Sequence, residues 1–473
     1  MRLGVGSKKA LFNWKIILLA GIIFFALPFV FPQSRVSAAA GSNLNSSQFE
    51  TWMTRQGFPE SYKPYLRSLH RKHPSYVFRA QRTGLDWKYV RIKENTAGNS
   101  LVRSPYESYK SFENGCYYFS SNKYRTFDGS WNQAAPALVN YYLDPRNFLN
   151  ENDMYMFFDQ RDRNFVNSTT IRNITKGSFM YSDPYHYTAD LYNAGNKAGV
   201  NANVIAAMIL TEQGRSGNSK LISGNYKKYE GIYNYLNVGA YTTNKMSAVE
   251  RGLWYAKGAG KKTNSYVRPW NSRYKAIYGG ALYYKINFIN NRQYTYYTKR
   301  FNVMNGRYNV GTHEYMTNIQ GAETEARLFR NAYGSGTKAA LTFYIPVYNN
   351  MPGSACAAPK KTGNNDNVLN SITVKSGTDS KNVKTACKLS PAYSRYETNY
   401  TVTVPKSREI FTISAKAHSR NAKISITKIR NVSRASSSYT RTIMQRSPKH
   451  KYQICVRSSS GQYRKYYLTI QKK

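Results

Sequence analysis

The spacing of apolar positions changes twice along this chain, which divides it into stretches of different architecture. Residues 48–56 and 63–72 read as two helices. The first ends at Gly57 and Pro59; the second places Tyr65, Leu66 and Leu69 on one face and stops before Pro74. Tyr76-Val77-Phe78 is a short strand candidate and residues 86–93 a further helix. Asp144-Pro145-Arg146-Asn147-Phe148-Leu149 reads as a turn leading into a polar helix. From Pro184 to Tyr348 helical periods dominate, punctuated by glycine. Residues 349–370 are rich in Pro, Gly and Asn and have almost no apolar period, the mark of a linker. Beyond Val368 the pattern becomes alternation, in Tyr400-Thr401-Val402-Thr403-Val404, residues 410–415, Ile424-Ser425-Ile426 and Tyr467-Leu468-Thr469-Ile470. Short alternating runs separated by turns predict an all-β sandwich of about a hundred residues.

The first forty residues stand apart from this pattern. Arg2, Lys8, Lys9 and Lys15 precede an apolar run over residues 16–31, and Val36-Ser37-Ala38-Ala39-Ala40 supplies small residues at a cleavage position. That order describes an export signal. The alternative is a retained membrane anchor, against which Pro28 and Pro32 and the small-residue site argue. The expected organisation is a signal over 1–40, a mixed accessory module over 41–181, a mainly helical domain over 182–348, a linker over 349–367 and a β-sandwich over 368–473. The fold class is therefore multidomain α+β, and the mature product is expected to be secreted.

Charge narrows the partners without naming one. Lys and Arg exceed Asp and Glu by 45, a field that draws in polyanions and is screened by salt. Outside a cell these are anionic wall polymers, lipid headgroups or stray nucleic acid, and charge alone does not discriminate. Four cysteines are too few for a disulfide scaffold, although one pair among Cys356, Cys387 and Cys455 has the option of bridging after export. Six histidines without a paired motif point to no metal site.

Candidate chemistry concentrates in residues 201–217, NANVIAAMILTEQGRSG. Asn201 or Asn203 can cap a helix carrying Val204, Ile205, Met208 and Ile209. Glu212 follows Met208 by four residues and Val204 by eight, so it falls on the same apolar stripe, and Gly214 and Gly217 then stop the helix. A carboxyl at the buried end of a helix facing a cleft has its pKa raised by desolvation, as a general acid for a glycosidic oxygen requires. The alternative is a Glu that reaches solvent or caps nearby amides. Downstream lie Tyr229-Glu230-Gly231-Ile232-Tyr233-Asn234-Tyr235-Leu236-Asn237-Val238-Gly239, then Arg268-Pro269-Trp270-Asn271, Tyr297-Thr298-Lys299-Arg300-Phe301 and His313-Glu314-Tyr315-Met316-Thr317.

In order and spacing these segments resemble the lysozyme-like glucosaminidases of glycoside hydrolase family 73, over residues 184–330, about a third of the chain. That family carries a Glu-x-Gly-x-(Ser/Gly) helix end, an Asn-aromatic strip, an Arg-aromatic-Asn element and a His-x-Tyr-x-Thr segment. The resemblance implies a lysozyme-like domain in which Glu212 is the general acid and Tyr315 the active-site tyrosine. It implies peptidoglycan glycan strands as substrate and no cofactor. Tyr233, Tyr235 and Trp270 are candidate sugar-stacking rings and Asn237 a candidate amide for hydroxyl or N-acetyl groups, with core packing as the alternative for each ring. His313 is expected to serve as a structural hydrogen-bonding group. The chain departs from the family between Ala240 and Ser247, where no acidic residue stands to supply a second carboxylate. Glu230 is the catalytic candidate for that role. Glu250 is expected in a solvated ion pair, and the substrate's own 2-acetamido group is the alternative to either. Leu389-Ser390-Pro391-Ala392-Tyr393-Ser394 before Tyr400-Thr401-Val402-Thr403-Val404-Pro405 resembles the cadherin-like sandwich repeats of bacterial surface proteins, which implies a spacer or binding module.

Three function classes follow. A wall glycosidase accounts for the signal, Glu212, the aromatic strip and the charge, and muramidase-type cleavage is its close variant. A non-catalytic wall-binding or adhesin protein leaves the helix-end Glu as coincidence. A nucleic-acid binder accounts only for charge and rings. The expectation is a secreted, wall-associated monomer acting on peptidoglycan and held by anionic wall polymers, with no specific nucleic acid and no membrane contact after signal cleavage.

Overall fold

A computed structural model describes residues 41–182, 186–261, 263–334, 339–426 and 436–473. The expected export signal and the Pro184 start of the helical stretch lie outside the described residues. No helix among the described residues is long and apolar enough to cross a membrane.

Two hydrophobic cores organise the chain. The larger runs from Phe49 to Tyr348 and is shared by the N-terminal stretch and the helical stretch that follows. The tie between them is a parallel pair of strands, Val77–Asp86 and Thr342–Asn349, in which Val77 lies opposite Thr342 and Phe78 opposite Phe343. The Phe78 and Phe343 rings stack at 5.6 Å, and Tyr155 and Phe158 bring Phe329 into the same cluster. Alternation cannot reveal this pairing, because its partners are more than 260 residues apart.

The N-terminal helices form close to where the sequence places them. Ser46–Gln56 starts with a reciprocal cap between Asn45 and Gln48 and ends at Gly57, whose φ of 81° suits only a residue without a Cβ penalty. Lys63–Lys72 buries Leu66, Leu69 and His70. Tyr65 stays 37% exposed, because the buried stripe continues from Tyr62 and leaves Tyr65 at its edge. Trp87–Glu94 is capped by Asp86, whose carboxylate accepts from the Tyr89 amide. No polar helix follows Leu149. A short 3₁₀ turn, Met154–Phe157, stands there instead with all four side chains buried.

The helical stretch comprises Tyr187–Ala198, Ala202–Gln213, Ala248–Lys257, Arg273–Tyr284, Tyr296–Arg300 and Gly321–Arg330. Ala202–Gln213 is the central one. Every residue from Ala202 to Leu210 is buried, so it carries no single apolar stripe and is enclosed on all sides.

The segment after Asn349 is irregular but pinned. Arg146 and Asp144 form a fully buried ion pair at 2.7 Å. Arg146 also donates to the carbonyls of Pro352 and Ser354, and Asp144 accepts from the Cys356 amide. Asn365 donates to the Ser108 and Lys110 carbonyls. All four cysteines are unbridged.

The C-terminal region is two four-stranded sheets around the second core. One runs Asn399–Val404, Tyr463–Lys472, Lys449–Arg457, Lys423–Ile426; the other runs Ser438–Met444, Ile410–Ala417, Leu369–Gly377, Thr385–Cys387. Tyr400, Val402 and Val404 point inward, as do Ile424, Ile426, Leu468 and Ile470, in keeping with the period of two. Among the described residues all of its strand pairings are antiparallel except Asn399–Val404 against Tyr463–Lys472. The sandwich meets the N-terminal stretch through Arg464 on Glu113 at 2.7 Å and the Tyr396 hydroxyl on the Phe112 carbonyl. The architecture is mixed, helices first and a sheet-rich C-terminal region after.

Candidate active site

The Ala202–Gln213 helix delivers Glu212 to the edge of the larger core. Asn201 supplies the cap, its side-chain oxygen accepting from the Asn203 amide at 2.8 Å. The helix ends at Gly214, whose φ of 71° turns the chain away one residue after Gln213. Glu212 in the last turn is half-buried, and Gln213 beside it is buried.

Two donors hold the Glu212 carboxyl. The Asn237 amide donates to Oε2 at 2.8 Å, and the Tyr315 hydroxyl donates to Oε1 at 3.1 Å. Gln213 decides which way Asn237 faces. Its Nε2 donates to Asn237 Oδ1 at 2.6 Å and to the Tyr235 carbonyl at 2.8 Å, so the amide nitrogen of Asn237 is left for Glu212. Asn237 sits at φ 50°, a left-handed position that asparagine tolerates better than most residues. Burial pushes the Glu212 pKa above its ordinary value and the nearby Glu325 carboxylate pushes it further. Lys299, Tyr315 and Asn237 oppose the rise.

Behind Glu212 lies a second layer of charge. Lys299 and Glu325 are in direct contact, both with fully buried side chains. The Lys299 ammonium sits 4.2 Å from the centre of the Tyr315 ring and within 5.5 Å of those of Tyr284 and Tyr296. One residue on, Arg300 points elsewhere. It meets Glu314 at 2.6 Å and Glu94 at 3.6 Å, and donates to Ser100 Oγ at 2.7 Å. Burial pushes the Glu314 pKa well above its ordinary value, with Glu94 pushing the same way. Burial also raises Glu94, against the pull of Arg300.

Of the residues singled out from sequence, Glu212, Tyr315 and Asn237 come together. Tyr235 and Trp270 do not line a groove: both are fully buried, which corrects their reading as sugar-stacking rings. The Tyr235 hydroxyl pairs with that of Tyr187 at 2.8 Å, and Trp270 Nε1 donates to the Tyr266 carbonyl at 2.7 Å. Each ring has found a polar partner inside the core, the condition for burying it. Tyr233 is half-buried, its ring against Gly224, where a Cβ would stand 2.5 Å from the Tyr233 hydroxyl oxygen. His313 is exposed, its Nδ1 facing Gln293 Oε1 at 3.2 Å and its ring 5.0 Å from that of Phe288. Glu230 is exposed in the turn before Gly231, and none of the hydrogen bonds to Glu212 reaches it. Glu250 lies in the first turn of Ala248–Lys257, 3.5 Å from Lys228.

Sequence reasoning missed Gln213, Lys299 and Glu325. Glu325 left a signal: it interrupts the buried stripe of Ala322, Ala326 and Phe329 on Gly321–Arg330.

No family model matches the chain. Over 277 residues it is 26% identical to the bifunctional autolysin of Staphylococcus epidermidis, covering 56% of this chain and 19% of that protein. Over 231 residues it is 24% identical to the bifunctional autolysin of Staphylococcus aureus, covering 46% of this chain and 17% of that protein. The chain thus spans about a fifth of the length of the curated relatives it matches. Among solved structures, the major bifunctional autolysin aligns with a TM-score of 0.39 at 21% identity, over 58% of this chain and 99% of that one. S. aureus glucosaminidase B aligns with a TM-score of 0.40 at 22% identity, over 58% of this chain and 95% of that one.

Proposed function

We propose that this chain is a secreted peptidoglycan hydrolase, an autolysin-type endo-β-N-acetylglucosaminidase. It cuts the β-1,4 bond between N-acetylglucosamine and N-acetylmuramic acid, with Glu212 as general acid. The observation that carries the reading is a carboxyl at the end of a buried helix, with its pKa raised and two donors fixing its oxygens. Sequence similarity to staphylococcal proteins named bifunctional autolysins supports the reaction class. Protonated Glu212 gives its proton to the glycosidic oxygen as the bond breaks. Asn237 and Tyr315 then stabilise the carboxylate left behind.

A second carboxylate is not needed for this reading. Glu230 is exposed and outside the Glu212 network, and Glu250 faces Lys228. These placements favour the 2-acetamido group of the substrate's own N-acetylglucosamine as the internal nucleophile. The cationic surface holds the enzyme on anionic wall polymers, and the sandwich serves as spacer or wall-binding module.

Digestion of purified walls by the mature protein and by Glu212→Gln, with reducing ends identified by mass spectrometry after borohydride reduction, tests the proposal. The expected result is reduced N-acetylglucosamine ends from the wild type and a loss of about a thousandfold in the variant. Reduced N-acetylmuramic acid ends would move the bond to that of a muramidase. Equal products from both proteins would remove Glu212 from the mechanism, and none from either would make the chain a wall-binding protein.

A further inference from the structure

We propose that the buried Lys299–Glu325 ion pair is a positioning device for the reaction: it holds the Tyr315 hydroxyl against Glu212 and so fixes the direction in which Glu212 presents its proton. The inference rests on Glu212 being the acid.

The pair is an expensive thing to bury. Desolvating two charges costs several kcal/mol each, and an apolar pair of similar volume often serves stability as well or better. Its surroundings suggest what it does instead. The Lys299 ammonium is flanked by the rings of Tyr284, Tyr296 and Tyr315, with Glu325 as its carboxylate partner. Tyr315 is the nearest of the three rings. Its amide donates to the Lys299 carbonyl at 2.9 Å, and Tyr284 and Phe288 stand edge-on to its ring at 5.8 and 5.3 Å. The neighbouring residues repeat the tie. Gln293 Nε2 donates to both the Thr298 and the His313 carbonyl at 3.1 Å, and Arg300 binds Glu314. Gln293 thus bridges residues 298 and 313, Lys299 holds Tyr315 and Arg300 holds Glu314. A tyrosine clamped through its backbone, its ring and the preceding Glu314 cannot swing its hydroxyl away from Glu212 without breaking that set.

The charge balance of the pair serves the same end. Lys299 alone would act as a counter-ion to Glu212 and favour its ionised form, which cannot donate a proton. Glu325 occupies that ammonium, so the cation steadies the Tyr315 face without claiming the acid. The groups bearing on Glu212 are Glu325 and Lys299 from behind, and Tyr315 and Asn237 at its oxygens.

The test is a mutant cycle on solubilised glycan strands. Lys299→Met with Glu325→Gln keeps both volumes and removes both charges together. It is expected to lower kcat between about ten- and a hundredfold at unchanged KM, the scale of a slightly misplaced catalytic group. In a Tyr315→Phe background the same two changes are expected to lower kcat less than about threefold, because the group they steady is already gone. Full activity in the double variant, or an equal loss in both backgrounds, would overturn the proposal. Should the double variant not fold, Glu325→Gln alone decides the matter. It is expected to lower kcat about tenfold in the otherwise wild-type protein and less than about threefold beside Tyr315→Phe, and an equal loss in both backgrounds would overturn the proposal. If Glu212→Gln itself remains active, the acid assignment has failed instead, an outcome these variants do not mimic.

Discussion

Lys299 and Arg300 are neighbours in the chain, both fully buried and both paired with glutamate, yet they serve different ends of the structure. Lys299 meets one carboxylate and faces the Tyr315–Glu212 contact. Arg300 meets two, Glu94 and Glu314, and ties the Trp87–Glu94 helix and Ser100 to the segment before Tyr315. The first cluster is balanced and adjoins the candidate acid. The second has one carboxylate in excess, and burial together with the neighbouring Glu94 carboxylate pushes the Glu314 pKa well up. Adjacent charges thus divide into one that tunes a site and one that fastens two parts of the fold.

The division is broken most severely at Arg300. Arg300→Met would leave Glu94 and Glu314 buried without a cation, a change expected to cost about 3–5 kcal/mol of stability. Urea unfolding followed by tryptophan fluorescence measures it. A loss below about 1 kcal/mol would show that the cluster fastens nothing.

The same cluster makes a pH prediction of opposite sign to the usual acid denaturation. Glu314 has a folded pKa above its ordinary value of 4.5, so between those two values the native state binds more protons than the unfolded one. Its contribution to stability is present below about pH 4.5 and is lost as pH rises toward the folded pKa. Glu314→Gln is expected to flatten that fall, leaving a variant at neutral pH at least as stable as the wild type. An unchanged slope of stability against pH would mean that the proton is not held there.

At the other cluster the expected effects are on rate. Tyr315→Phe removes one donor to Glu212, worth about 1.5–3 kcal/mol when the acceptor is charged, and should lower kcat by at least about tenfold. The Tyr315 hydrogen bond lowers the Glu212 pKa, so its loss should move the alkaline limb to higher pH. Glu325→Gln should move it to lower pH. Two neighbours of one acid with opposite shifts in the pH profile would be hard to obtain from general loosening of the fold.

How much of this was legible in the chain follows from the range of each signal. The sandwich was, because alternation is local: residues 400–404 and 424–426 announce strands by period two alone. Glu212 and Tyr315 were singled out by short motifs set around them, and they lie in hydrogen-bond contact. The core shared between Phe49 and Tyr348 was not, since the pairing of Val77–Asp86 with Thr342–Asn349 depends on partners far apart in sequence. The Lys299–Glu325 pair was half-visible. A carboxylate on an apolar stripe signals a buried charge, but nothing local names the residue that answers it. The expected stripe on residues 202–213 was too modest, for a helix enclosed on every side leaves no polar face to define one.

The aromatic strip gives the smallest of the predicted effects and the sharpest check on reading function from rings. Tyr235 and Tyr233 stand two residues apart in one tyrosine-rich segment, yet Tyr235 is fully buried with its hydroxyl on that of Tyr187, while Tyr233 is half-buried. Tyr235→Phe deletes one hydroxyl and with it the hydrogen bond between the two rings, which costs about 1 kcal/mol of stability. The ring still fills its place, so the backbone carbonyl of Tyr235 continues to accept from Gln213, and Gln213 continues to orient Asn237. The melting temperature should therefore drop by a few degrees while KM for glycan strands is unchanged. Were Tyr235 a sugar platform, KM would respond and the melting temperature would not. The experiment thus separates a ring that builds the floor of the site from one that touches what lies on it.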